Sequence, residues 1–160
     1  MTPRRSLLPL LMLGLALASG GCGGHNDAEA HEDGHAHAGH VHQPKYGGTL
    51  VEVGRHEGNV EVLLDPAAGK LTLYVLDAHA ENFVRIPART IPLVADGGGS
   101  SRELVLQAVG NAATGETPGN TSQFEGTADW LKSAPPLTGR IPELTVQSKT
   151  YRDIRFQLSK

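Results

Sequence analysis

Six of the eight histidines in this 160-residue chain crowd into one short stretch that also carries four acidic residues. Neutral imidazole is a common ligand of borderline transition metals, and several donors must reach one centre at about 2.0 to 2.2 Å. The stretch therefore predicts a site for a divalent transition metal. The candidate ligands are His25, His31, His35, His37, His40 and His42.

The spacing of these histidines offers two ways to chelate an ion. In an extended chain alternate residues share a side, so His35 and His37 project together, as do His40 and His42. The glycine between the two pairs allows the chain to bend, so that four imidazoles can surround one ion. In a helical turn, His31 and His35 would share a face instead. Both alternatives remain open on the sequence.

The choice of metal is narrowed by the absence of sulfur from most of the chain. The only cysteine is Cys22, and both methionines, Met1 and Met12, precede it. Cu(I) and iron–sulfur clusters prefer soft sulfur ligands, whereas imidazole and carboxylate suit Zn, Ni, Co or Cu(II). Protons should compete with the metal, because only neutral imidazole binds.

The two remaining histidines lie in predicted turns further along the chain. His56 falls within a Gly-Arg-His-Glu-Gly turn, and His79 follows a predicted strand between two acids, Asp77 and Glu81. Loop ends can gather ligands, so these four residues are candidates for a second, more structured metal site. The simpler interpretation is that both histidines are solvated loop residues.

The first 21 residues are typical of a lipoprotein signal peptide. Arg4 and Arg5 precede an apolar run over residues 7–17, and small residues lead directly to Cys22. The run is shorter than the roughly 20 residues that cross a bilayer. We therefore expect lipidation at Cys22 and a membrane-anchored protein of the cell envelope that faces the periplasm. The alternative is an ordinary secretory peptide that leaves a free thiol.

Residues 22–45 contain almost nothing to bury, since Val41 is their only larger aliphatic side chain. Such a segment cannot offset its ordering entropy, so we expect a disordered histidine-rich linker. After removal of the leader the chain would keep 12 basic and 17 acidic residues, a net charge of −5. A mildly acidic chain without a basic stripe argues against nucleic-acid binding.

Residues 46–160 change to short apolar runs separated by turn residues, which predicts one all-β domain. The pattern favours an antiparallel, immunoglobulin-like β-sandwich of about seven or eight strands. The predicted strands are 49–53, 59–65, 71–77, 91–95, 102–109, 122–128, 144–148 and 153–158, with one helical turn at 129–133.

Three runs in this domain resemble a known type of small bacterial β-domain. They are residues 45–53, 60–65 and 69–79, which read KYGGTLVEV, VEVLLD and GKLTLYVLDAH. Similar runs occur in short histidine-rich bacterial lipoproteins and at the N-terminus of periplasmic adaptor proteins of heavy-metal efflux pumps. In those adaptors a histidine often precedes the Gly-Gly pair, where this chain has Tyr46. The resemblance implies an envelope role near divalent-metal handling and a link to a metal efflux or transport complex.

Motifs typical of catalysis are missing from the sequence. No serine stands in a Gly-x-Ser-x-Gly elbow, and neither a phosphate-binding loop nor a dinucleotide fingerprint is present. We therefore expect no catalytic residues, no small organic substrate and no enzymatic activity. The leading hypothesis is a membrane-anchored protein that binds or buffers divalent metal. The alternative is a structural or protein-interaction β-sandwich on a flexible stalk.

Overall fold

A computed structural model of the chain describes residues 42–97, 99–133 and 136–158. The predicted signal peptide, the lipidation site Cys22 and five of the candidate ligands, His25, His31, His35, His37 and His40, lie outside these ranges, as does most of the predicted linker. Of the histidine-rich stretch, only its last member, His42, is described.

The described residues form eight strands and one short 3-10 helix. The strands are β1 (Thr49–Val53), β2 (Gly58–Asp65), β3 (Lys70–Leu76), β4 (Thr90–Gly97), β5 (Ser100–Ala108), β6 (Gln123–Thr127), β7 (Leu137–Val146) and β8 (Lys149–Leu158). The 3-10 helix is Asp129–Ser133, which is the helical turn that the sequence predicts.

All eight strands belong to one antiparallel ladder in the order β1-β2-β3-β6-β5-β4-β7-β8. The sheet coils so strongly that its two edge strands, β1 and β8, come close to each other. The two halves of the ladder thereby enclose a common core. The prediction of an all-β, antiparallel fold with seven or eight strands is confirmed. In the described parts of the chain, no helix has the length and apolar character needed to cross a membrane.

The core follows from the alternation of side chains along the strands. In β8, Ile154, Phe156 and Leu158 are buried, whereas Arg155 and Gln157 between them are exposed. Successive side chains in a strand point to opposite faces, so a period of two places one face inward. Strand β3 is buried along both faces, in agreement with its interior place in the sheet.

Strand β7 begins earlier than the predicted strand at 144–148. Gly139 and Pro142 interrupt the apolar pattern, so the pattern does not predict the first half of the strand. A side chain at Gly139 would collide with the ring of Phe156, so the glycine serves close packing between β7 and β8. Pro142 is tolerated because it makes no ladder pair with Asp153 opposite.

Candidate metal centre

Antiparallel pairing brings two turns to one end of the sheet. Strand β2 starts opposite the end of β1, with Val53 paired to Gly58, and also opposite the end of β3, with Asn59 paired to Leu76. The turn before β2 carries His56, and the loop after β3 carries His79. These two histidines are 23 positions apart in the sequence, and the ladder makes them neighbours.

A third histidine joins them from the segment that leads into β1. We call residues 42–48 the junction segment; His42 is its first residue. Ligand atoms of His42, His56 and His79 all lie within 4.8 Å of one another. The ring centroids are 5.1 Å apart for His42 and His56, 5.8 Å for His42 and His79, and 5.5 Å for His56 and His79. We call this cluster the histidine triad.

The triad is close to a metal-binding arrangement. Three nitrogens at tetrahedral positions 2.0 to 2.1 Å from zinc are separated by about 3.4 Å, so side-chain movements of under about 1 Å would bring these imidazoles onto one ion. His56 and His79 are exposed and His42 is half-buried. The Nε2 atom of His42 is buried and has no hydrogen-bond partner among the described residues. A buried polar atom without a partner is costly, and a bound cation would satisfy it.

The turn that carries His56 is held from both sides. His56 itself adopts a left-handed conformation with φ of 58°, and Gly54 has φ of 72°. The His56 amide donates to Oε1 of Glu52 at 2.6 Å. Glu57 forms an ion pair with Lys149 at the start of β8. The hydrogen bond from Lys149 lowers the pKa of Glu57 and raises that of Lys149.

The loop that carries His79 is organised around the Asp77 carboxylate. Oδ1 accepts from the Glu81 amide at 2.8 Å, and Oδ2 accepts from the side-chain amide of Asn82 at 2.7 Å. Partial burial alone would raise the pKa of Asp77, but these hydrogen bonds outweigh it and hold the pKa below its ordinary value. Both carboxylate oxygens of Asp77 are thus engaged within the loop.

A buried asparagine ties the same loop to the sheet. Asn59 in β2 is 2% exposed, and its Nδ2 donates to the backbone carbonyls of Asp77 and Ala78, each at 2.9 Å. Because Asn59 belongs to the strand that follows the His56 turn, it couples the positions of the two turns. The backbones on which His56 and His79 stand are therefore well supported.

The junction segment is held by a buried glutamate. Glu61 alternates with the core valines of β2, so it projects from the opposite face, yet it is 0% exposed because the junction segment covers it. The backbone amides of Lys45, Tyr46 and Gly48 each donate to its carboxylate at 2.8 Å. Gly47 has φ of 75°, which favours glycine and lets the flanking amides converge. We call these four hydrogen-bonding residues, with Gly47, the Glu61 clamp.

Aromatic contacts lie beside the clamp. Tyr46 stacks on Tyr74 with ring centroids 4.4 Å apart, and Phe83 lies 6.0 Å from Tyr46. The Lys45 ammonium lies 5.6 Å from the Phe83 ring centroid. Burial, followed by the nearby Tyr46 and acidic groups, raises the pKa of Tyr74. Tyr46 and Phe83 nevertheless remain 53% and 41% exposed, so this aromatic cluster is partly open to solvent.

The structure combines residues from the two sites that the sequence predicts separately. His42 comes from the histidine-rich stretch, and His56 and His79 come from the predicted second site. Within the described residues, the acids Asp77 and Glu81 are not part of the ligand cluster, and His42 takes the third place. His42 and Lys45, which the sequence assigns to the end of the linker, contact the domain through the triad and through the Glu61 carboxylate.

Glu61 is the functional candidate that the sequence reasoning missed. Its only signal is a single acid in an otherwise apolar run of β2, which is also what a half-exposed strand would show. Nothing local to β2 indicates that residues 45–48 will cover this position.

A surface depression of about 550 Å³ lies elsewhere, between β4, β7 and β8, and shares no residue with the triad. Its lining residues include Asp96, Thr138, Arg140 and Arg155.

No family model, no curated protein and no solved structure matches this chain.

Proposed function

We propose that this protein is a membrane-anchored lipoprotein of the cell envelope that binds and buffers a divalent transition metal without catalysis. The observation that carries the proposal is the convergence of His42, His56 and His79 from three separate segments. Three imidazoles within 4.8 Å of one another, one of them with a buried and unpartnered nitrogen, form a natural cation site.

The donor set supports a restricted choice of metal. Three neutral imidazoles suit Zn, Ni, Co and Cu(II), and they leave the full double charge on the ion. Three acids beside the triad histidines in the sequence, Glu52 at the end of β1 and Asp77 and Glu81 in the loop after β3, contribute negative charge that favours an approaching cation.

The histidine-rich stretch gives the triad a source of further ligands. A four-coordinate ion on three imidazoles keeps one position for water or for another donor. His40 is only two positions before His42 in the sequence, and a short tether gives a linked donor an effective concentration on the order of millimolar. In this proposal the stretch captures ions loosely, and the triad holds one of them more tightly.

Binding is favoured over catalysis because the triad is open to solvent. Two of its three histidines are exposed, whereas metal hydrolases hold their ion in a shaped, dry cavity. The membrane anchor is proposed from Cys22 and the preceding signal-like residues. The link to a metal efflux or transport complex rests on the sequence resemblance alone.

A titration of Zn(II) and Co(II) into the full chain in detergent micelles tests the proposal. One variant changes the five histidines outside the triad, His25, His31, His35, His37 and His40, to glutamine. A second variant adds His56→Ala and His79→Ala. We expect the five-glutamine chain to retain one ion, and the further loss of His56 and His79 to weaken its binding by more than about tenfold. Equal affinity with and without His56 and His79 would remove the triad from the function.

The second candidate function is a metal-independent interaction module. The aromatic cluster of Tyr46, Tyr74 and Phe83 favours it, because exposed aromatic side chains are enriched in protein interfaces. The two candidates differ in the histidine NMR signals of the full chain. Signals that stay unchanged with every one of the four metals near neutral pH would leave only the interaction module.

A further inference from the structure

His42 differs from the other two triad histidines in how it is held. His56 and His79 stand on turns that are hydrogen-bonded to the sheet, whereas His42 precedes β1 on the junction segment. We propose that Glu61 is the positioning residue of the metal centre, because its carboxylate holds residues 45–48 on β2 and so keeps His42 within reach of its partners. This inference rests on the proposed function, since it concerns the same site.

The connection between the clamp and His42 is short and stiff. Only Gln43 and Pro44 separate His42 from Lys45, the first residue bound by Glu61. Proline fixes its own φ near −65°, and it also restricts the preceding residue to extended conformations. The position of Lys45 therefore limits where the His42 side chain can lie.

Packing and strand pairing in the sheet do not require a carboxylate at position 61. Val60 and Val62 build the core on the other face, and an apolar residue could cover the outer face of β2. A buried charge is costly unless hydrogen bonds compensate it, and replacement by apolar residues is often neutral or stabilising. The three amides of the junction segment supply that compensation at Glu61. The carboxylate thus specifies one position of this segment.

The clamp then sets the affinity of the triad. When residues 45–48 are bound to Glu61, the three imidazoles of the triad lie together. When these residues are released, only His56 and His79 remain close enough to share an ion. The apparent affinity for a metal falls in proportion to the fraction of molecules that are clamped. The coupling is reciprocal, so a metal on the triad must also stabilise the clamp. The amides of Lys45, Tyr46 and Gly48 should exchange more slowly when metal is bound.

The test uses the five-glutamine full chain, in which the triad is the measured site, with Co(II) as the probe. Glu61→Ala removes the clamp, and Glu61→Gln keeps one oxygen that can accept from Tyr46 and Gly48. We expect Co(II) affinity to fall by at least about tenfold in Glu61→Ala and by less in Glu61→Gln. The Co(II) visible spectrum of Glu61→Ala should shift towards that of His42→Ala, because in the released molecules only His56 and His79 hold the ion.

Gly48→Ala opens the clamp by a different route and keeps the charge. A Cβ at Gly48 would lie 2.7 Å from Cγ of Leu63 and 2.7 Å from the Val62 carbonyl oxygen, so the segment must shift. We expect this variant to lose Co(II) affinity in the same direction as Glu61→Ala.

Two controls separate positioning from general stability. Glu116→Ala removes another buried, hydrogen-bonded glutamate outside the triad and clamp, and it should leave Co(II) affinity unchanged. In a His42→Ala background, Glu61→Ala should have no further effect on affinity, because the ligand that it positions is already gone.

The possible results differ in what they overturn. If the five-glutamine chain does not bind Co(II), the proposed function of the triad and the role of Glu61 both fail. If it binds Co(II) but Glu61→Ala and Glu61→Gln bind Co(II) as tightly as the five-glutamine chain does, only the positioning role fails. An equal loss in Glu116→Ala, or a full effect of Glu61→Ala without His42, would also overturn the positioning role.

Discussion

Glu61 and Glu116 are two buried glutamates with similar local chemistry and different surroundings. Each accepts three hydrogen bonds, and they are 0% and 8% exposed. The donors to Glu61 are three backbone amides of one segment. Glu116 instead accepts from the amide and hydroxyl of Ser122 and from the hydroxyl of Thr114, and Arg85 lies 3.9 Å away.

The difference lies in what each carboxylate holds. Glu116 fixes the loop that leads into β6, and the described residues of that loop are not part of the triad. Glu61 fixes the junction segment, which carries His42 towards His56 and His79. The same kind of hydrogen-bonded carboxylate is thus structural in one place and coupled to a candidate site in the other. Separate measurements of stability and of metal affinity test this difference between the two glutamates.

The largest expected effect on stability comes from Glu116→Ala. The Ser122 amide is buried beside β6 and would lose its partner, which costs about 1 to 3 kcal/mol, and the two hydroxyl contacts add to this. We expect a loss of about 3 kcal/mol in the free energy of unfolding, measured by urea denaturation. A loss below about 1 kcal/mol would mean that water or another acceptor replaces the carboxylate.

Glu61→Ala should cost less global stability, about 1 to 2 kcal/mol. The reason is that the junction segment lies before β1, so it can detach and let its amides bond to water. The effect should instead be local. Native-state hydrogen exchange at Lys45, Tyr46 and Gly48 should accelerate strongly, while exchange in the core strands changes little. Uniform acceleration throughout the sheet would contradict this difference between the two glutamates.

The smallest expected effect is a pH dependence carried by Glu116. Burial alone would raise the pKa of Glu116, but hydrogen bonds from Ser122 and Thr114 and the charge of Arg85 hold it below its ordinary value. A depressed folded pKa contributes stability above the unfolded value of about 4.3, and this is lost as pH falls through the folded value. The stability difference between the wild type and Glu116→Gln should therefore be constant from pH 7 to about 5.

Below about pH 4.3 the same difference should shrink, because the wild-type carboxyl becomes protonated. Urea denaturation at several pH values measures it. A difference that stays constant down to pH 3 would show that the carboxylate charge at Glu116 does not contribute.

Much of the fold was predictable because it depends on local patterns. The alternation of Ile154, Phe156 and Leu158 with polar residues predicted β8, and the apolar runs at 59–65 and 71–77 predicted β2 and β3. The first half of β7 was missed because Gly139 and Pro142 resemble strand breakers. Their roles, close packing and an unpaired ladder position, depend on a neighbouring strand that sequence periodicity does not describe.

The sequence predicted the residue type that forms the candidate site, but not which histidines lie together in it. From composition alone, the lack of sulfur after Cys22 and the abundance of imidazole predict that a metal site would use nitrogen and oxygen donors. The choice of His42 as the third triad residue could not be derived, since it depends on the seating of residues 45–48 over Glu61. Asp77 and Glu81, the acids suggested by proximity in sequence, are outside the ligand cluster of the described residues. The Asp77 carboxylate is instead engaged by hydrogen bonds within its own loop.

By itself the sequence determined the all-β class and most strand positions, because these follow from side-chain period and residue type. Only the tertiary structure decided which histidines meet. Antiparallel pairing places Asn59 beside Leu76, and a buried carboxylate draws in a segment 13 to 16 positions away. Contacts between such distant residues depend on sheet register and on burial of a charge, and neither is encoded in a short window of sequence.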